Sequence, residues 1–220
     1  MRRHSGPFLV RVCDIRPQLF DDGRFTPFDR HYVYHVAWAL RVLRESSPRE
    51  HLDIASSLHF VAAASAFVPT RFVDYRPANL VLDGLSTGAA DVLRLDFSPD
   101  SIASLSCMHV IEHVGLGRYG DAFDPAGDRK AIAELKRVVA PGGTLLFVVP
   151  VSGKPRIEFN AHRVYSYQLV IELFEGFELI EYALIPDRAE EGGLIRHADP
   201  DLTARQRYGC GCFHFRKRLA

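Results

Sequence analysis

From residue 50 to the end of the chain, short apolar runs alternate with segments of helical periodicity. The strand-like runs are HLDIA, TRFVDYR, ADVLRL, SIASLSC, TLLFVVP, the apolar stretch before Pro186 and the final YGCGCFHFRKR. Strands that alternate with helices predict a doubly wound α/β fold, here one seven-stranded, mostly parallel sheet with helices on both faces. Ligands of such sheets bind at the carboxyl ends of the strands, so the residues that follow each strand are the candidates for a binding site.

Two helices have clear sequence signals. The segment DRKAIAELKRVVAPGG is expected to bury Ile132, Leu135 and Val139 and to end at the Pro-Gly-Gly that starts at Pro141.

The segment DRHYVYHVAWALRVL predicts an N-terminal helical cap over the sheet, with Asp29 as the N-cap residue. Its apolar stripe is expected to pack on the sheet; an alternative interpretation brings His31 and His35, one helical turn apart, to an active site. The expected stripe is Tyr32, Val36, Leu40 and Leu43.

Length and charge limit the class of protein. The 220 residues are enough for one domain with a large core. Lys+Arg and Asp+Glu are both 27, so the charge does not indicate binding to nucleic acid or to a membrane surface. No run approaches the ~18 apolar residues of a membrane span, and the N-terminal apolar run is too short for a signal peptide. The four cysteines contain no C-x-x-C pair, which favours a reducing, cytoplasmic location.

Two groups of possible metal ligands stand out. Cys210, Cys212 and His214 alternate on one face of the last predicted strand, but no fourth ligand is evident. A site made of His109, His113 and His162 also lacks a paired acidic ligand. We therefore expect ordinary packing at both places and no metal.

Acidic residues end three successive predicted strands. Asp53 ends the first, Asp74 follows it by 21 residues (74 minus 53), and Asp91 belongs to the third. A carboxylate about 20 residues beyond the first loop is well placed to accept hydrogen bonds from ribose hydroxyls. The three acids together predict a site for a nucleoside-containing cofactor.

The stretch FSPDSIASLSCMHVIEHV, followed by AIAELKRVVAPGGTLLFVVP, resembles the Rossmann-like class I S-adenosylmethionine (SAM)-dependent methyltransferases. Over nearly the whole chain, FDRHYVYHVAW, SLSCMHVIEHVGLGRYGD and FNAHRVYS resemble a small bacterial methyltransferase-like family of unknown function, often found beside surface-polysaccharide genes. The competing interpretation, a nicotinamide dehydrogenase, needs a G-x-G-x-x-G turn that this chain lacks.

The resemblance implies SAM as the cofactor. It places the aminocarboxypropyl end near 53–57, the ribose at Asp74, the adenine between Tyr75 and Asp91, and the sulfonium near Cys107. The implied cofactor-binding residues are Asp53, Ala55, Ser56, Ser57, Asp74, Tyr75, Asp91, Val92, Cys107 and Met108.

The loop after the first strand departs from the methyltransferase pattern D-x-G-x-G-x-G. Ala55, Ser57 and His59 stand where that pattern has glycines, which allow close backbone approach and positive φ. We interpret it as a cofactor loop in altered form, with the Ser57 side chain either crowding or hydrogen-bonding the cofactor carboxylate. The bulky His59 is expected where helix and strand pack closely.

Deprotonation of a hydroxyl acceptor requires a base such as histidine. His109 directly follows the fourth strand, and His113 lies one helical turn later; these are the catalytic candidates. Two polar loops on the ligand side of the sheet could contact the acceptor or brace each other. The candidate substrate-binding residues are Arg118, Tyr119, Asn160, His162 and Arg163.

The predicted function is SAM-dependent methylation of a small polar acceptor, such as a saccharide hydroxyl or its precursor in polysaccharide biosynthesis. The alternative is a non-catalytic methyltransferase-like domain that binds a ligand or scaffolds a glycan-assembly partner. In the predicted single domain, residues 1–48 form the cap, 49–150 the SAM-binding half and 151–220 the substrate-side half. The expected partner is a small-molecule or saccharide substrate.

Overall fold

The computed structural model describes residues 12–17, 19 and 23–219. The longer helices are α1 (Arg30–Ser46), α2 (Leu58–Ala64), α3 (Gly127–Val138) and α4 (Tyr167–Leu173). The strands are β1 (His51–Ile54), β2 (Thr70–Asp74), β3 (Leu85–Ala89), β4 (Ile102–Met108), β5 (Val139–Val151), β6 (Arg156–Glu158), β7 (His162–Val164), β8 (Phe177–Ile185) and β9 (Gly209–Lys217). Short 3₁₀ helices cover Val12–Asp14, Ile111–His113, Ala189–Glu191 and Pro200–Arg205.

Seven strands form one sheet, as the sequence predicts, and their order is β3-β2-β1-β4-β5-β9-β8. The pairs among β1 to β5 are all parallel, whereas β9 runs antiparallel to both β5 and β8. The amino end of β9 therefore lies at the same edge of the sheet as the carboxyl ends of β1 to β5. Strands β6 and β7 form a separate two-stranded sheet that the sequence analysis did not predict.

Two predicted boundaries are wrong. The third strand lies at Leu85–Ala89, before the ADVLRL run, and Asp91 follows it in a tight turn. Helix α3 ends at Val138, ahead of the Pro-Gly-Gly, and Val139 already pairs with Ile102 as the first residue of β5. A proline disfavours helical backbone in the residue before it, so Pro141 ends the helix before the chain reaches the two glycines.

Helix α1 begins as predicted, because the Asp29 side chain accepts a hydrogen bond from the Tyr32 backbone N–H at 3.1 Å. Its predicted buried stripe is wrong at Tyr32, which is 45% exposed, whereas Leu43 is buried and Val36 and Leu40 are half-buried against the core. The fully buried face is shifted toward His35 and Trp38. The residues buried on it are His35, Trp38, Ala39, Val42 and Leu43.

The core consists of two layers, one on each face of the sheet. Helices α3 and α4 contribute Ile132, Leu135 and Val170 to one layer, and α1 and α2 contribute Trp38 and Phe60 to the other. This confirms the prediction of helices on both faces. Among the described residues, no helix combines the length and the apolar character that crossing a membrane requires.

Candidate functional site

Two adjoining clefts open at the carboxyl edge of the parallel strands. The smaller cleft, of about 510 Å³, lies beyond β1, β2 and β3, and the larger, of about 910 Å³, lies between that edge and the first turn of α1. Both clefts are lined by Ala55, His109, His113 and Tyr119, which therefore mark their junction. This is the edge at which ligands of doubly wound sheets bind.

The loop after β1 keeps a glycine-like backbone without glycine. Ala55 has φ +55°, in the left-handed region that favours glycine, and its backbone N–H donates to the Val73 carbonyl at 2.8 Å. Ser57 caps α2, because its hydroxyl oxygen accepts from the Phe60 N–H at 3.3 Å. The expectation for His59 is wrong, since it is exposed and the neighbouring Phe60 fills the packed position.

Asp53 lies beneath this loop and lines neither cleft. Its buried carboxylate accepts from the Ser56 N–H at 3.0 Å and from the Ser106 hydroxyl, and His51 links Ser106 to Ser104 through 2.8 Å contacts of its two ring nitrogens. Burial raises the pKa of Asp53 to about 7, although the hydrogen bonds oppose that shift. Asp53 therefore holds the loop in place through its hydrogen bonds to Ser56 and Ser106.

The smaller cleft contains the two other predicted acids. Asp74 and Asp91 each use one carboxylate oxygen to accept a backbone N–H two residues later, at 2.9 Å from Arg76 and 2.8 Å from Leu93. Tyr75 and Val92 also line this cleft, and the Tyr75 ring is 61% exposed. The cleft thus has two carboxylates beside an exposed aromatic ring, which suits a nucleoside.

At the junction, His109 is fixed at both ring nitrogens. Its Nδ1 lies 2.9 Å from Glu112 Oε1, and its Nε2 lies 3.4 Å from the Cys210 thiol. Burial lowers the pKa of His109 to about 4 and raises that of Glu112 to about 7. His109 directly follows β4, and its backbone is in the left-handed region at φ +57°.

His113 is more open. Its Nδ1 donates to the Ala161 carbonyl at 2.7 Å, and Arg118 donates to the same oxygen at 2.9 Å. Its Nε2 lies 3.9 Å from Glu112 Oε1, which is beyond hydrogen-bond distance, and its side chain is 16% exposed. Burial lowers the pKa of His113, so the imidazole is neutral at pH 7 and has a lone pair at Nε2.

Aromatic rings line the larger cleft. His31 stacks on Tyr208 with ring centroids 5.3 Å apart, and on His109 at 5.5 Å; Tyr32 stacks on His109 at 5.3 Å. His162 joins this wall with its ring 5.0 Å from Tyr208. His31 thus lines the cleft as the alternative interpretation of α1 expects, whereas His35 is fully buried and lines neither cleft, and α1 also packs on the sheet as first expected.

Several predicted site residues lie elsewhere. Cys107 is fully buried in the layer under α3 and lines neither cleft, whereas Met108, on the other face of β4, lines the larger one. Arg163 is a brace: it donates to the Val114 and Pro125 carbonyls at 2.6 and 3.2 Å. Asn160 is exposed and lines neither cleft.

Of the remaining candidates, Ser56 and Ser57, which the resemblance assigns to the aminocarboxypropyl end of the cofactor, line the larger cleft together with Arg118 and His162. The sequence analysis missed Glu112 and Tyr208. Glu112 could have been found, because it stands within the same E-H pair as His113. Tyr208 has no local signal, since only the antiparallel course of β9 brings it to this edge.

Comparison with solved structures shows that the fold is that of the class I SAM-dependent methyltransferases. A 1,6-didemethyltoxoflavin-N1-methyltransferase from Burkholderia thailandensis, solved with S-adenosylhomocysteine, has a TM-score of 0.58 at 14% identity, covering 84% of this chain and 78% of its own. The N-methyltransferase NodS from Bradyrhizobium japonicum, also with S-adenosylhomocysteine, has a TM-score of 0.55 at 18% identity, covering 84% and 86%. The [4+2]-cyclase SpnF has a TM-score of 0.54 at 12% identity, covering 83% and 82%.

At sequence level, residues 90–191 match the profile of a family described as Caenorhabditis protein of unknown function, DUF268. No curated protein matches the chain. At identities this low the structural likeness defines the fold alone, and a cyclase among the similar structures means that the fold does not by itself fix the reaction.

Proposed function

We propose that this chain is a SAM-dependent methyltransferase that acts on a small polar acceptor, with a saccharide hydroxyl or its precursor as the first substrate class to test. The observation that carries the proposal is the junction of the two clefts at Ala55, His109 and His113. An acidic cleft suited to a nucleoside opens there into a larger aromatic cleft suited to an acceptor. Cofactor and acceptor would meet beside two imidazoles.

The residues of the smaller cleft fit SAM. Asp74 and Asp91 each have a second carboxylate oxygen free of hydrogen bonds to the described residues, and these oxygens can accept from ribose hydroxyls and the adenine amino group. The left-handed backbone at Ala55 provides the close approach that glycine gives in other cofactor loops. Ser56 and Ser57 would face the aminocarboxypropyl end. When bound, SAM supplies an activated methyl group.

The protein's own task is to position the acceptor and to remove its proton. His113 is the better placed of the two histidines, because its Nδ1 proton is held by the Ala161 carbonyl and its Nε2 is uncommitted. The Glu112 carboxylate, 3.9 Å from Nε2, would stabilise the imidazolium that forms. Both ring nitrogens of His109 have protein partners, so it positions Glu112.

The larger cleft suits a ring-shaped polar acceptor. The faces of His31, Tyr32 and Tyr208 offer stacking surfaces, and Arg118 and His162 offer donors at the rim. Sugars combine an apolar ring face with outward hydroxyls, which is the pattern that this lining matches.

Calorimetric titration with SAM and with S-adenosylhomocysteine tests the cofactor half. Asp74→Ala should weaken binding about tenfold or more, because it removes charge-assisted hydrogen bonds worth about 1.5–3 kcal/mol each. Asp83→Ala, at an exposed acid of the loop before β3, is the matched control and should bind like the wild type. A folded wild-type protein that binds neither compound would refute the proposal.

Formation of S-adenosylhomocysteine in the presence of monosaccharides and nucleotide sugars tests the catalytic half. His113→Asn should reduce turnover by about 10²–10⁴-fold and leave the affinity for SAM unchanged. If His109→Asn shows that pattern instead, His109 is the base. Tight SAM binding without transfer to any acceptor would favour the non-catalytic, ligand-binding alternative.

A further inference from the structure

Three potential metal ligands from distant parts of the chain converge behind the larger cleft. They are His31 in the first turn of α1, His109 after β4, and Cys210 in β9. Each offers one ligand atom, and the three atoms lie within 4.8 Å of one another, with His109 Nε2 and Cys210 Sγ at 3.4 Å. In a tetrahedral zinc site, bonds of about 2.0–2.3 Å place neighbouring ligand atoms about 3.3–3.8 Å apart, so only a small contraction is needed.

Glu112 prepares His109 for this role. The carboxylate lies 2.9 Å from Nδ1, so the Nδ1–H group donates a hydrogen bond to Glu112. The lone pair of Nε2 then points toward Cys210. Metal-bound histidines in proteins almost always have such a carboxylate or carbonyl partner at the other nitrogen, which fixes both tautomer and orientation. Burial of the Glu112 carboxyl group costs free energy, because the residue is 1% exposed and its Oε2 has no hydrogen bond to any described residue.

A further nitrogen next to the cluster is uncommitted. His35 is fully buried, and its Nδ1 donates to the His31 carbonyl at 2.7 Å. Its Nε2 is buried without a hydrogen-bond partner in the described part of the chain, and its ring lies 5.0 Å from that of His109. Buried polar atoms are nearly always paired, so the unpaired His35 Nε2 indicates that the described residues do not supply a partner for every nitrogen beside the cluster.

The chain of contacts from Cys210 to His109 to Glu112 could also belong to a nucleophilic cysteine with its base and an orienting carboxylate. The burial of Cys210 argues against that function. Its side chain is 0% exposed and lines neither cleft, so no acceptor can reach the sulfur. A metal ion needs only converging lone pairs, and His31 and His109 do line the larger cleft.

We propose that His31, His109 and Cys210 bind a Zn²⁺ ion whose fourth coordination position faces the larger cleft. Imidazole nitrogen and thiolate sulfur are both ligands of zinc, and three protein ligands with one open position are typical of zinc sites that bind a water or a substrate. The Cys210 thiol loses its proton to solvent when the ion binds. The ion would join α1, β4 and β9 at the acceptor side of the site, independently of whether SAM binds.

Zinc binding to the full chain, without SAM, tests this proposal. After chelator treatment and dialysis against Zn²⁺, the wild-type protein should retain about one ion per chain, and Co²⁺ in its place should give thiolate-to-metal charge-transfer absorption. Cys210→Ser should abolish that absorption and weaken zinc binding at least about 100-fold, and Glu112→Gln should weaken it about 10–100-fold.

Cys212→Ser is the matched control, because Cys212 lies on the same face of β9 with its sulfur 4.0 Å from that of Cys210 but outside the cluster. It should bind zinc like the wild type. The proposal is overturned if the wild type retains no zinc, or if Cys210→Ser and Cys212→Ser bind equally well. Should Cys210→Ser fail to fold, His31→Gln, at a half-buried position, decides: wild-type zinc affinity in that variant overturns the proposal.

Discussion

Replacement of Ala55 by glycine should reveal how much strain the loop after β1 stores. Ala55 has φ +55°, where a Cβ crowds the following carbonyl oxygen and costs about 1–2 kcal/mol. Glycine removes that strain but gives the unfolded chain extra conformational freedom, which costs about 0.4–1 kcal/mol. Ala55 is also partly buried against the core, so loss of its methyl group costs a further few tenths of a kcal/mol, roughly half of a fully buried CH₂. Ala55→Gly should therefore be neutral or stabilising by up to about 1 kcal/mol.

The matched control is Ala63→Gly, at an exposed position within α2, where the backbone is helical. It carries the same entropy cost without relief of strain and should destabilise the protein by about 0.5–1 kcal/mol. The difference between the two variants isolates the strain at Ala55.

Urea denaturation and thermal unfolding measure that difference. The expected gap of about 1–2 kcal/mol in unfolding free energy corresponds to roughly 2–8 °C in Tm for a chain of this length. Equal destabilisation by both substitutions would show that Ala55 is unstrained and that the loop does not have the glycine-like conformation. If the conformation is correct, Ala55→Gly should also leave SAM affinity equal to that of the wild type or higher.

Two more predictions concern stability. Because burial raises the pKa of Asp53 to about 7, its ionisation destabilises the folded state, so its contribution to the unfolding free energy should be fully present below about pH 4 and be lost as the pH rises to about 7. Asp53→Asn should remove this contribution, so the difference in unfolding free energy between wild type and variant should change by a few kcal/mol over that range, measured by urea denaturation at several pH values. Arg196→Ala should destabilise by at least about 2 kcal/mol, because it leaves the buried Glu181 carboxylate without its paired guanidinium. Glu45→Ala, which removes only the exposed partner of the same arginine, should cost about 0–1 kcal/mol, and equal losses would contradict the assigned burial.

The apolar strands were predicted at their correct places, whereas β3, which is not apolar, was misplaced. Residues 145–151 of β5 and 182–185 of β8 are continuous apolar runs because both faces of the sheet are covered there. β3 reads LSTGA at the edge of the sheet, with only two of its five residues half-buried and none buried. Burial does not constrain its side chains, so no pattern in the sequence marks it, and the apolar residues of the following turn took its place in the prediction.

The prediction that acidic residues at strand ends line the ligand cleft agrees with the structure for two of the three acids. Asp74 and Asp91 follow their strands into the open edge and line the smaller cleft as the spacing suggests. Asp53 stands inside β1, one residue before its end, and the pleat turns its carboxylate under the loop toward Ser106. The same alternation separates Cys107 from Met108, because successive residues of β4 face opposite layers of the core. A shift of one residue along a strand thus decides whether a side chain lies in the core or in a cleft.

The convergence of His31, His109 and Cys210 depends on chain direction, which local sequence does not encode. In an entirely parallel sheet, Cys210 at the start of its strand would lie at the edge opposite the carboxyl ends. Because β9 is antiparallel to β5, the Cα partner of Cys210 is Pro150, near the carboxyl end of β5, and the thiol meets the imidazole that follows β4. α1 then covers the same edge, and the Arg30 guanidinium holds its first turn there by donating to the Gly192 carbonyl at 2.5 Å. Sequence reasoning considered Cys210 together with Cys212 and His214, and His109 in a second set of three histidines, and found each set incomplete. The reversed strand joins a member of each set to the first turn of α1, so the proposed metal site follows from topology.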